Sequence, residues 1–108
     1  MPRAENKSTP VIISGMLYHN EGGLAVGSVS WFAWLSQEQH TTFYYESPAG
    51  SFTARKEIRK GYRWYWYAYR RAGPHSKLHK CYLGKSEQLT AEHLLDIAQR
   101  LARLVQES

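Results

Sequence analysis

This chain of 108 residues has a single cysteine, Cys81, and no apolar run of about 18 residues such as a membrane span requires. With one cysteine, no disulfide can form within the chain, and such sparing use is typical of proteins from a reducing compartment. The N-terminus shows no charged segment followed by an apolar one, so we expect neither a secretory signal nor a membrane span. These absences predict a cytoplasmic protein with no membrane partner.

Motifs that would indicate catalysis or metal binding are also scarce. The carboxylates are scattered, no glycine-rich loop is suited to cradle a phosphate, and no Ser and His pair has an orienting acid at a recognisable spacing. His75, His79 and Cys81 lie close together in sequence, but a CxxC pair and an evident fourth ligand are missing. We therefore expect no enzymatic activity, no metal site and no cofactor.

Acidic residues are nearly absent from the middle of the chain. Between residues 51 and 85, Glu57 is the single acid against ten basic residues, which gives this segment a net charge of +9, whereas the segments before and after it are each −2. The basic residues are Arg55, Lys56, Arg59, Lys60, Arg63, Arg70, Arg71, Lys77, Lys80 and Lys85. Charge segregated in this way favours binding to a polyanion, of which nucleic acid is the commonest. A solvated face or a contact with an acidic protein is the alternative.

Local patterns predict an α+β fold. Residues 1–9 lack apolar periodicity and are predicted to be a disordered tail, which leaves residues 10–108 as a single domain. Ser28 or Ser30 can cap a short helix near residues 28–38, and Thr90 can cap an amphipathic C-terminal helix. Strand propensity is high in four segments, at residues 41–46, 51–58, 64–71 and 77–83. We expect an antiparallel sheet of three to four strands, with the C-terminal helix packed on one face and the other face left open.

Aromatic residues fill both faces of the third predicted strand. Alternation places Trp64, Trp66 and Arg70 on one face and three tyrosines on the other, and it turns Lys80 and Tyr82 of the last strand outward. Because Arg and Lys neutralise phosphates, and aromatic rings can stack on unpaired bases, this composition favours nucleic-acid binding. The predicted nucleic-acid-binding residues are Arg55, Lys56, Arg63, Trp64, Trp66, Arg70, Lys80 and Tyr82.

Four segments follow one another in the chain: residues 31–35 (WFAWL), 51–57 (SFTARKE), 66–70 (WYAYR) and 82–87 (YLGKSE), the last with Leu89-Thr90 after it. In this order they resemble a module of uncharacterised function in large bacterial LuxR/MalT-type transcription regulators. The match covers roughly residues 27–104. This chain lacks the ATPase and helix-turn-helix parts of those regulators, so the resemblance implies an association with transcriptional control and not their activity.

The last two strands and the helix are also similar, more distantly, to the AP2-like DNA-binding domain of phage and transposon integrases. In that family a three-stranded sheet enters the major groove and a helix packs on its back. The resemblance implies that Arg55, Trp66, Arg70, Lys80 and Tyr82 meet DNA. It also implies a core of Tyr67, Tyr69, Cys81, Leu83, Leu94, Ala98 and Leu101.

Three hypotheses follow from the sequence. The leading one is a non-enzymatic protein that binds duplex DNA with a basic, aromatic sheet face, in transcriptional or mobile-element control. The second is a protein-interaction module that offers the same face to an acidic partner. The third is binding of single-stranded DNA or RNA by aromatic stacking.

Overall fold

The structure is a computed structural model that describes residues 9–20, 22–59, 63–72, 75 and 77–107. Seven strands form one sheet in the order β3-β2-β1-β4-β5-β6-β7. The strands are β1 (Val11–Ile13), β2 (Met16–His19), β3 (Gly22–Ala25), β4 (Thr42–Ser47), β5 (Gly50–Arg59), β6 (Arg63–Ala72) and β7 (Lys77–Gly84). The helices are α1 (Val29–Ser36) and α2 (Ala91–Glu107), with a 3-10 turn at Ser86–Gln88 between β7 and α2. Neither helix is long and apolar enough to cross a membrane.

The α+β class and the C-terminal helix are confirmed. The predicted sheet had too few strands, and it was predicted to be entirely antiparallel. Strands β2 and β3 have only four residues each, too few for a recognisable alternation. The sheet is also mixed, because β1 pairs with β4 in parallel while the other neighbouring strands are antiparallel. This parallel pair joins segments about 30 residues apart, so no local pattern could have indicated it.

Both predicted helix caps are present. The Ser28 hydroxyl accepts a hydrogen bond from the backbone N–H of Trp31 at 3.2 Å. The Thr90 hydroxyl accepts one from the backbone N–H of His93 at 3.1 Å. Each cap satisfies an N–H that has no partner within its helix, which explains where the two helices begin.

One hydrophobic core lies between the sheet and the two helices. The ring of Phe43, on β4, lies 5.5 Å from that of Trp31 on α1 and 5.2 Å from that of Trp66 on β6. The indole N–H of Trp31 donates to the carbonyl of Leu89 at 2.7 Å, which ties α1 to the segment before α2. Helix α2 contributes Leu94, Ile97, Ala98 and Leu101 to the same core. Both helices therefore cover one face of the sheet, and neither covers the opposite face.

Small residues on adjacent strands mark where a helix comes close to the sheet. Ala54 and Ala68 are direct partners across β5 and β6, and both are fully buried. Gly50 lies close to α2: a Cβ atom there would come within 2.9 Å of the Ala98 carbonyl oxygen. These positions let the helix backbone approach the strands, and they place the even-numbered residues of β5 and β6 on the helix side.

Candidate nucleic-acid interface

The side of strands β4 to β7 that lies opposite the two helices is called here the open face. Its outward residues alternate with the buried ones along each strand. They are Thr42, Tyr44, Glu46, Ser51, Thr53, Arg55, Glu57, Arg63, Tyr65, Tyr67, Tyr69, Arg71, Leu78, Lys80 and Tyr82. Among the side chains that the structure describes, four tyrosines and four basic residues thus share the surface of β5, β6 and β7.

Cationic groups and tyrosine rings are in contact on this face. The Lys80 ammonium lies 4.4 Å from the ring centroid of Tyr67 and 5.4 Å from that of Tyr69. On the other side, the guanidinium carbon of Arg55 lies 5.7 Å from the Tyr69 ring centroid. Cation–π attraction at such distances contributes about 0.5–1 kcal/mol at exposed sites, so the rings help to position both charges.

Glu57 is the carboxylate at the centre of this basic surface. Its Oε1 lies 3.7 Å from the Lys80 ammonium, and its Oε2 accepts a hydrogen bond from the Tyr69 hydroxyl. The Glu57 side chain is 27% exposed. The two carboxylate oxygens therefore have partners on β6 and β7, which restrict the orientation of the group.

Three tyrosines form a cluster toward one end of β6 and β7. The Tyr82 ring lies 5.4 Å from that of Tyr67 and 6.0 Å from that of Tyr65, both in tilted arrangements. Tyr82 is 51% exposed. Desolvation, together with the neighbouring tyrosines, raises the pKa of Tyr82. The cluster presents aromatic surface to the outside.

Shallow depressions run beside these side chains. One of about 330 Å³ is lined by Thr53, Arg55, Tyr69, Arg71 and Leu78. A second, of about 380 Å³, is lined by Thr9, Val11, Thr42, Tyr44, Thr53 and Arg55. Since both include Thr53 and Arg55, they flank the same guanidinium. Hydroxyl and guanidinium groups of this kind are the usual donors to phosphate oxygens.

Four of the predicted site residues lie on the open face: Arg55, Arg63, Lys80 and Tyr82. The outward orientation of Lys80 and Tyr82 and the core orientation of Leu83 are confirmed. Whether these residues bind nucleic acid stays a prediction.

Lys56 is on the helix side of the sheet, where its contacts stabilise the fold. Lys56 is only 9% exposed, and its ammonium donates hydrogen bonds to the carbonyls of Leu35 at 2.7 Å and Gln37 at 3.2 Å. Those carbonyls are at the C-terminal end of α1, where unpaired backbone acceptors favour a cation. Desolvation lowers the pKa of Lys56, opposed by the carboxylate of Glu38.

The expectation that Trp64, Trp66 and Arg70 face outward beside Lys80 is wrong. Trp66 is fully buried, and its indole N–H donates to the hydroxyl of Ser86 at 2.9 Å. Trp64 and Trp66 enclose Lys56, with their ring centroids 5.7 and 5.2 Å from its ammonium. Arg70 is directed toward Gly50 on the helix side, and its Nη1 is buried. The expected core positions of Tyr67 and Tyr69 are wrong for the same reason, since adjacent residues of a strand point to opposite faces.

Sequence reasoning therefore missed Tyr65, Tyr67, Tyr69 and Arg71 as residues of the exposed face. A signal was available, because Ala68 shares a face with the two tryptophans. An alanine among large aromatic residues marks the point where a helix packs closely, and the tyrosine row of the same strand is then the outer one. Register with β7 agrees, since Ala68 is the direct partner of Cys81 on the core side.

The thiol of Cys81 is partly buried, and burial raises its pKa, which disfavours the reactive thiolate. Within the ranges that the structure describes, no group of three or more His, Cys, Asp and Glu residues is arranged to hold a metal ion. His79 is buried on the helix side, while His75 is exposed. The prediction of no enzymatic activity is not tested by these observations.

In comparisons with known proteins, no family model, curated protein or solved structure matches this chain.

Proposed function

We propose that this protein binds duplex DNA, without catalysing a reaction, through the open face of β5, β6 and β7. The observation that carries the proposal is the presence of Arg55, Arg71 and Lys80 among half-buried tyrosines and the exposed Tyr82 on a sheet face that neither helix covers. Phosphate contacts supply most of the affinity of such a surface, and side chains between them reach the base edges. The resemblance to transcription regulators and integrases supports a place in transcriptional or mobile-element control.

The width of this part of the sheet supports a major-groove ligand. Three strands span about 10 Å between their outer axes, and the major groove of duplex DNA is about 12 Å wide. Strand β7 is an edge strand, so β5 to β7 can enter a groove from that side. Strands β1 to β3 lie at the other end of the sheet, where Ile13 and Tyr18 give the same face an apolar character.

The test of this proposal compares three labelled ligands of equal length by fluorescence anisotropy: random duplex DNA, single-stranded DNA and RNA. We expect the duplex to bind most tightly. The change of Arg55 to Gln should weaken duplex binding about fivefold or more, as for loss of roughly 1 kcal/mol from a DNA contact. Arg103→Gln is the matched control, because it removes the same charge from an exposed position of α2. Equal losses in the two variants would count against the open face.

A second candidate, single-stranded DNA or RNA, is favoured by the open-face cluster of Tyr65, Tyr67 and Tyr82, of which Tyr82 is exposed. Stacking of a base on an aromatic ring contributes about 1–3 kcal/mol. In that case the single-stranded ligands should bind more tightly than the duplex. Tyr82→Thr should then lower the affinity for single strands more than the affinity for the duplex. Absence of binding to all three ligands at low salt would instead favour the protein-interaction hypothesis, in which the basic face meets an acidic partner.

A further inference from the structure

The central carboxylate of the open face is poorly suited to a surface that binds only phosphates. Glu57 lies two residues from Arg55 on β5 and 3.7 Å from the Lys80 ammonium. A negative charge at this position repels the phosphate backbone and offsets part of the attraction of the two cations. If the open face enters a groove, the place where a carboxylate is favourable is opposite a hydrogen-bond donor on a base edge.

The orientation of Glu57 is fixed before any ligand binds. Tyr69 donates to one carboxylate oxygen and Lys80 lies beside the other. These neighbours come from β6 and β7, so the carboxylate is held by the three strands that form the proposed interface. A held acceptor loses less conformational entropy when it meets a donor, which is the condition for selective recognition.

The donors that the major groove displays are the amino groups of cytosine N4 and adenine N6. The adenine amino group lies next to the N7 acceptor, whose lone pair repels a carboxylate. The cytosine amino group has no acceptor beside it on that edge of its base, and acceptance from N4 is the usual base contact of Glu and Asp. A carboxylate that is held in place therefore discriminates in favour of cytosine.

We propose that Glu57 is a specificity-determining residue that selects cytosine by accepting a hydrogen bond from its N4 amino group. This inference rests on the proposed function and adds the base that one position of the surface recognises. Arg55 and Lys80, on either side of Glu57, then contact the phosphates and position the duplex.

The test selects duplexes from a random pool with the full chain and sequences those that bind. The unchanged protein should prefer cytosine at one position by about tenfold, which is within the range for one mismatched base pair. Glu57→Gln should lose that preference. Because glutamine pairs with adenine N6 and N7, adenine should be enriched at the same position.

Glu46→Gln is the matched control, since Glu46 is exposed near the end of β4 and its change alters the net charge equally. It should leave the base preference intact. Tyr69→Phe is a second variant that removes the hydroxyl holding Glu57 without changing the charge, and it should reduce the cytosine preference. If Glu57→Gln fails to fold, the base preference of Tyr69→Phe is measured in its place.

An unchanged base preference in a folded Glu57→Gln protein overturns this inference and leaves DNA binding in place. The inference is also overturned, and DNA binding again stays in place, if the unchanged protein binds duplexes with no preference for cytosine. If the unchanged protein binds none of the duplexes, the proposed function fails together with the inference.

Discussion

At the scale of single residues, Lys56 shows how the environment decides what a basic side chain does. The sequence places it beside Arg55 in the basic segment, and the two look equivalent there. In the structure, Arg55 is on the open face, whereas Lys56 passes between two tryptophans to the end of α1. One of the two charges is available to a ligand and the other holds the fold together.

We predict that Lys56→Met lowers the free energy of unfolding by about 2 kcal/mol, the size expected for loss of hydrogen bonds to a charged group. The methionine keeps the apolar stem but leaves the carbonyls of Leu35 and Gln37 without their donor. Urea denaturation followed by tryptophan fluorescence measures the change. Arg103→Met on the exposed surface of α2 is the control and should have little effect. Equal stability of the Lys56 variant and the unchanged protein would show that water replaces the amine.

At the scale of secondary structure elements, strand β6 separates the core from the proposed interface. Its even-numbered residues, from Trp64 to Arg70, lie on the helix side, and its tyrosines lie on the open face. The same ten residues thus provide the buried ring of Trp66 to the core and three half-buried tyrosines to the open face. Substitutions on the helix side of β6 should therefore change the stability of the fold. Substitutions on the open face of β6 and β7 should change ligand binding.

We predict that Trp66→Ala lowers the free energy of unfolding by about 3–5 kcal/mol, because it leaves a cavity beside Phe43 and removes the donor to Ser86. Tyr82→Thr, on the exposed side of β7, should change stability by less than about 1 kcal/mol, since threonine keeps strand propensity and little area becomes unburied. Thermal unfolding measured by circular dichroism compares the two. A tolerant Trp66 variant with an unstable Tyr82 variant would mean that the faces are assigned the wrong way round.

At the scale of the whole molecule, the charge distribution controls how any polyanion is attracted. The segment from residue 51 to residue 85 is +9 while the remainder is −4, so the positive charge is concentrated in the segment that contributes β5, β6 and β7. Three of these cations, Arg55, Arg71 and Lys80, lie on β5, β6 and β7 of the open face, and Arg63 begins β6 on the same side. The acidic C-terminal helix lies on the opposite layer. Association should therefore be fast at low salt and orient the open face toward the ligand.

We predict that duplex binding weakens steeply with salt, and that the double change Arg55→Gln and Lys80→Gln reduces the slope of log affinity against log salt by about 1.8. Each phosphate contact contributes about 0.9 to that slope. Anisotropy titrations at four or more salt concentrations provide the measurement. Arg100→Gln with Arg103→Gln removes two charges from α2 and should leave the slope unchanged. A slope that falls equally in both double variants would indicate attraction by net charge alone.

The sequence by itself determined the features that depend on neighbouring residues. The caps at Ser28 and Thr90, the amphipathic C-terminal helix, the β-rich middle and the segregation of charge all follow from short-range chemistry, and the structure contains each of them. Four of the eight predicted site residues, Arg55, Arg63, Lys80 and Tyr82, also lie on the open face.

Only the tertiary structure decided which face of β6 is covered and how wide the sheet is. Alternation defines two faces of a strand but does not say which one a helix will pack on, and both faces of β6 are aromatic. The choice depends on the close approach of α2 to Gly50, which lies about 50 residues before it in the chain, and on the core that the buried Ala54 and Ala68 share with α2. The parallel pairing of β1 with β4 is likewise a long-range contact. Since such contacts leave no period in the local sequence, they appear only when the chain is folded.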